Sequence, residues 1–213
     1  MSCVPSYLCP DRVHLFTDRA FYSQDGKVAF FASKCFQIHD QPMVIAGRGF
    51  AAETFAAMEN ILSLTAGRDT MKVGKVLEII REYFRRQEPT EAEFLIACAT
   101  QLGAMHYLVN LHGRSPYAAF ELFSPPVPIG AHYTWVHQGP QITLPPSHYV
   151  AEEQTDFPAL GLEVMERMRK EAGALNEATV QYHLIGGGID YTTVDSKGVN
   201  TVRLKDWPDQ LGE

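Results

Sequence analysis

Two stretches, Arg12-Val13-His14-Leu15-Phe16-Thr17-Asp18 and Pro42-Met43-Val44-Ile45-Ala46-Gly47, decide how the chain is read. Both read as strands, and with residues 3–8 and 27–36 they predict a four-strand block in the first 47 positions. The separators Cys9-Pro10-Asp11, Gln24-Asp25-Gly26 and His39-Asp40-Gln41 are turn chemistry, and Asp25-Gly26 suits a tight hairpin. Beyond Gly47 the period changes. Phe55, Met58 and Ile61/Leu62 recur at helical spacing within residues 49–64, as do Val73, Val76/Leu77, Ile80 and Tyr83/Phe84 within 70–86. A second strand block follows at 93–100, 105–111, 117–122 and 133–138, with Gly113-Arg114-Ser115 as a hairpin turn. Proline-rich loops interrupt it at 124–128 and 144–147. A third helix is predicted over 156–172, then closing strands at 180–184, 189–194 and 199–204, the last two joined by Asp195-Ser196-Lys197-Gly198. Strands grouped apart from helices predict an α+β fold with antiparallel sheets.

The 213 residues suit one domain, residues 1–213. Eighteen basic against 25 acidic residues give a net charge of −7 without any basic run, which argues against a nucleic-acid partner. No apolar run approaches the ~20 residues of a membrane span, and the N-terminus lacks the pattern of a signal peptide, so a cytoplasmic protein with no membrane partner is expected. Cys3, Cys9, Cys35 and Cys98 have neither CxxC nor zinc spacing and read as reduced core thiols. The eight histidines form no HxH or HExxH, so no metal is expected. No cofactor is expected either, since Ile185-Gly186-Gly187-Gly188 lacks the Gly-Lys-Ser/Thr ending of a phosphate loop and no helix pattern follows it.

Three polar residues stand out by position: Ser2, Asp18 at a strand end, and Lys34 inside an apolar stretch. Each has a bland reading. Serine is common after an initiator methionine, Asp18 could pair with Arg19 in a turn, and Lys34 could lay its stem on a sheet and its head in water.

Their ordered context points further. Phe16-Thr17-Asp18-Arg19-Ala20, Lys34-Cys35-Phe36-Gln37-Ile38 and Met43-Val44-Ile45-Ala46-Gly47 together resemble the start of a proteasome β-type subunit, a family of N-terminal-nucleophile hydrolases. The resemblance is convincing residue by residue over about the first quarter, and the order of elements follows the family over nearly the whole chain. It implies a four-layer αββα sandwich of two antiparallel sheets, Ser2 as nucleophile once Met1 is removed, Asp18 and Lys34 beside it, Gly47 as oxyanion donor and Arg19 as supporting charge. It also implies a peptide or other amide substrate and a homo-oligomer built as a ring or stacked rings; any ATPase partner is not readable.

Chemistry gives each residue type a reason. A serine hydroxyl needs a base, and a free α-amine on the same residue, with an ordinary pKa of about 7.7 to 8.0, can serve at neutral pH. Lys34 would keep the site electropositive, Asp18 would anchor Lys34, and the Gly47 N–H would stabilise an oxyanion, a device worth about 3 to 4 kcal/mol. The chain departs from the family in three ways. Serine replaces threonine, Tyr182-His183-Leu184-Ile185 stands where the family has a supporting aspartate and serine, and no clear Gly-Ser-Gly follows the second strand block, Val136-His137-Gln138-Gly139-Pro140 being the nearest candidate. The alternative reading is therefore a catalytically silent subunit with an assembly role. A generic α+β binding protein with a fortuitous Asp18/Lys34 match is a third.

Overall fold

The computed structural model describes residues 4–23, 27–67, 72–112, 119–124, 155–170, 172–174, 181–183 and 185–212. The turns expected at 24–26 and 113–115, the strand at 133–138, both proline-rich loops beyond residue 124, and Ser2 and Cys3 lie outside these residues.

One four-stranded antiparallel sheet runs in the order β1 (Ser6–Leu8), β2 (Arg12–Asp18), β11 (Gly188–Asp195), β12 (Gly198–Asp206). A second runs β5 (Cys35–Gln37), β6 (Met43–Arg48), β7 (Glu93–Thr100), β8 (Gly103–Asn110). Two antiparallel pairs stand apart from them, β3 (Ala20–Tyr22) with β4 (Val28–Phe31) and β9 (Ala172–Ala174) with β10 (Gln181–His183). The helices are α1 (Ala51–Thr65), α2 (Val73–Arg85) and α3 (Phe157–Lys170). The fold is α+β with antiparallel sheets.

Period-two alternation explains how the strands bury two faces at once. In β7, Phe94, Ile96 and Cys98 pack with Met58 and Ile61 of α1 and with Val76, Ile80 and Phe84 of α2. The intervening Leu95, Ala97 and Ala99 pack instead with Val13 and Leu15 of β2 and Val194 of β11. β2 repeats the device: Val13 and Leu15 join that cluster, whereas Phe16 packs with Leu160, Val164 and Met165 of α3. The buried residues of α2, Val73, Val76, Leu77, Ile80 and Phe84, recur at three and four positions, which is why it forms an amphipathic helix.

Three expectations need correction. The strand expected over 27–36 is broken into β4 and β5, which join different sheets. The break falls where the Ala32 N–H bonds back to the Arg19 carbonyl at 3.0 Å and Lys34 turns inward. The strand expected over 117–122 does not form in its described part: Phe120 sits at φ 65°, and only an isolated bridge joins Phe123 to Leu108. The third helix ends at Lys170 rather than 172, where β9 begins. β3 was not expected at all.

Candidate functional site

Asp18 ends β2 opposite Ile189 of β11, and its side chain is wholly buried. Lys34 lies in the bend between β4 and β5, also wholly buried. Its ammonium donates to Asp18 Oδ2 at 2.7 Å and to the Ala20 carbonyl at 2.5 Å, and it lies 4.7 Å from the centre of the Phe21 ring. The bland reading, a lysine with its head in water, is thereby excluded. Asp18 Oδ2 also accepts the Gly186 N–H at 3.2 Å, whereas Oδ1 has no hydrogen-bond partner among the described residues. Burial pushes the Asp18 carboxyl up from its ordinary range, while the Lys34 charge and hydrogen bond and the Gly186 N–H pull it back. Taking two charges out of water costs several kcal/mol per ion, so such a pair is weak evidence of stability for its own sake.

Gly47 meets this pair through the backbone. Its N–H donates to the Lys34 carbonyl at 3.2 Å, continuing the β5–β6 ladder. An oxyanion role would require that long bond to be shared or surrendered. The absence of a side chain has a second reason here: a Cβ on Gly47 would lie 2.3 Å from Thr54 Cγ2 and 2.8 Å from Met58 Cε, so glycine lets α1 close onto β6.

Arg19 does not pair with Asp18. Its guanidinium faces Asp190 at 4.0 Å, and its backbone N–H joins that of Ala20 in bonding the Gly186 carbonyl, at 3.0 and 2.9 Å. Asp190 bonds Arg203 Nε at 2.5 Å, but Arg203 is shared with Asp206. Burial, with Asp206 and Asp18 as further negative neighbours, pushes Asp190 up to about 6. Tyr22 is pushed up as well, by burial first and then by Asp18 and Asp209. Cys35, beside Lys34, is pushed up to about 12 by burial and stays a thiol at neutral pH.

Asp18, Lys34, Gly47 and Arg19 thus gather at one corner where β2, the β4–β5 bend, β6 and the glycine turn before β11 meet; Ser2 lies outside the described residues. Asp190, Arg169 and Asp209 belong to the same polar network and were missed from sequence. Asp190 follows Gly186-Gly187-Gly188 closely in sequence, whereas nothing local marks Arg169 or Asp209. Among the described residues no group of three or more His, Cys, Asp or Glu is arranged to hold a metal ion, and no helix is long and apolar enough to cross a membrane. No family model and no curated protein matches the chain.

Proposed function

We propose that the chain is a proteasome-like N-terminal-nucleophile hydrolase, a four-layer αββα sandwich that cleaves amide bonds of peptides in the cytoplasm with Ser2. The observation that carries this reading is the wholly buried Lys34 ammonium, held 2.7 Å from Asp18 at the corner that β2 and β6 share with the glycine turn. The packing of α1 and α2 on one face of β7, and of β2 and β11 on its other, supports the layered arrangement. With Met1 removed, the Ser2 α-amine takes the hydroxyl proton as Oγ attacks the substrate carbonyl carbon. Collapse of the tetrahedral adduct breaks the C–N bond, the amine leaves carrying that proton, and water then hydrolyses the ester. Lys34 supplies fixed positive charge to the developing alkoxide, and Asp18 fixes Lys34. Ring-type assembly of identical copies would enclose such sites.

The silent-subunit reading has its own observations: the Gly47 N–H is engaged by the Lys34 carbonyl, and Tyr182-His183-Leu184-Ile185, its Ile185 fully buried, stands where the resembled family has a supporting aspartate and serine. Hydrolysis of fluorogenic peptide amides by wild type and Ser2→Ala separates the two. The active reading expects turnover that falls to background in Ser2→Ala and survives in Ser2→Thr. Turnover unchanged by Ser2→Ala removes the nucleophile, and a fully processed wild type inert toward diverse amides favours the silent subunit.

A further inference from the structure

The glycine turn before β11 is held from two sides. Toward the core, the Gly186 N–H donates to Asp18 Oδ2 at 3.2 Å, and the Gly186 carbonyl accepts the N–H groups of Arg19 and Ala20. From the other side, Asp209 Oδ2 accepts the Gly187 N–H at 2.6 Å and Arg169 Nη1 at 3.0 Å, while Arg169 Nη2 bonds Asp209 Oδ1. Arg169 Nη1 also donates to the Ile185 carbonyl at 3.0 Å, and the guanidinium lies 4.7 Å from the centre of the Trp207 ring. Only 17% of the Arg169 side chain and 14% of the Asp209 side chain are exposed, so solvent screens this fork less than a surface pair.

The Gly186 carbonyl and the Gly187 N–H belong to a single peptide unit. Gly187 has φ +75°, a left-handed conformation from which a glycine peptide can rotate away at little cost unless both its ends are tied. Here both are: the oxygen to Arg19 and Ala20, the N–H to Asp209. A side chain on Gly186 would meet Asp209 Oδ2 at 2.7 Å and the Tyr22 hydroxyl at 2.6 Å, so the carboxylate lies directly against the turn.

We infer that Arg169 and Asp209 are a positioning pair for the Asp18–Lys34 site: Asp209 fixes the Gly186–Gly187 peptide through the Gly187 N–H and Arg169 fixes the preceding Ile185–Gly186 peptide through the Ile185 carbonyl, so that the Gly186 N–H stays on Asp18 and Asp18 stays on Lys34. Arg169 comes from the last turn of α3 and Asp209 from the segment after β12, so the pair ties two distant parts of the chain to the site. Its catalytic consequence rests on the hydrolase reading; its structural consequence does not.

The test uses the full chain with Asp209→Ala, Asp209→Asn and Arg169→Lys. NMR follows the Gly186 and Gly187 amides and the buried Lys34 ammonium, and hydrolysis is measured in parallel. Asp209→Ala should move all three signals and lower kcat by about 10- to 100-fold with KM nearly unchanged, the scale set by small misplacements of catalytic groups. Asp209→Asn keeps an acceptor for the Gly187 N–H and should restore most of kcat. If Asp209→Ala does not fold, Arg169→Lys, which keeps the charge but not the fork, should move the Lys34 signal in its place. A folded Asp209→Ala or Arg169→Lys variant with unmoved Gly186 and Lys34 signals overturns the inference, whatever the activity. Signals that move in a protein whose wild type hydrolyses nothing would leave the positioning pair standing and overturn the hydrolase reading instead.

Discussion

Lys34 is the residue on which the account turns, because its burial makes two consequences inseparable. Truncating it removes positive charge from the site and leaves the wholly buried Asp18 carboxyl without its ammonium partner. Breaking a buried pair from one side costs about 3–5 kcal/mol, so Lys34→Ala should lower the unfolding free energy by that much as well as abolish turnover. The paired replacement Asp18→Asn with Lys34→Met leaves no uncompensated charge and should cost markedly less, which chemical denaturation will show. Equal losses would mean that the pair is not buried as described. At this scale the sequence was legible where spacing carried the information: Asp18 and Lys34, 16 positions apart, form the buried pair. It was not legible where partners are far apart. Arg19 stands beside Asp18 yet faces Asp190, and Arg169 finds Asp209 forty positions away, which no local pattern encodes.

Among elements, α3 and β2 show how contact overrides propensity. Replacing Gly161 in α3 by alanine should gain about 1 kcal/mol of helix propensity. A Cβ there would lie 1.9 Å from Phe16 Cε1, however, and Phe16 is fully buried and stacked on Tyr191. Overpacking of this kind costs about 1–3 kcal/mol, so Gly161→Ala should destabilise the protein on balance. A higher melting temperature for the variant would contradict that contact. The same interface carries a pH dependence. His14 stacks on Phe157 and bonds the Tyr191 hydroxyl at 2.7 Å, and burial, helped by Arg12, lowers its pKa from 6.5 to about 4. The folded state therefore binds fewer protons at this site than the unfolded state between these values. The His14 contribution is fully present above pH 6.5 and is lost as pH falls toward about 4. Asp190, raised to about 6, acts in the opposite sense, so the test is the difference between wild type and His14→Phe, which should vanish in slope above pH 6.5 and grow below it. A parallel pair of stability curves across that window would rule out a buried, neutral His14. Element type was largely readable here, since helical spacing marks α1 and α2 and a short continuous apolar run marks β7. Residues 27–36 misled because their apolar run hides the inward turn at Lys34, a tertiary event imposed by Asp18.

At the scale of the molecule, two four-stranded sheets share one apolar cluster while the helices bury their other faces, and the polar corner lies where both sheets, the β3–β4 pair and the glycine turn converge. The α+β grouping was legible because strand and helix patterns alternate in blocks. The assembly of the first sheet was not, since β2 pairs with β11 across 171 to 183 positions, from Asp18 with Ile189 to Arg12 with Asp195. By the proposed reading this corner serves an N-terminal nucleophile. That reading is tested most directly by the intact mass of the purified protein before and after incubation with a peptide epoxyketone, which needs both a hydroxyl and a free amine on the same residue. The expected result is a chain lighter by one methionine that gains one covalent adduct, mapped to Ser2 and absent in Ser2→Ala; a chain that retains Met1 and takes up no adduct would overturn the N-terminal nucleophile.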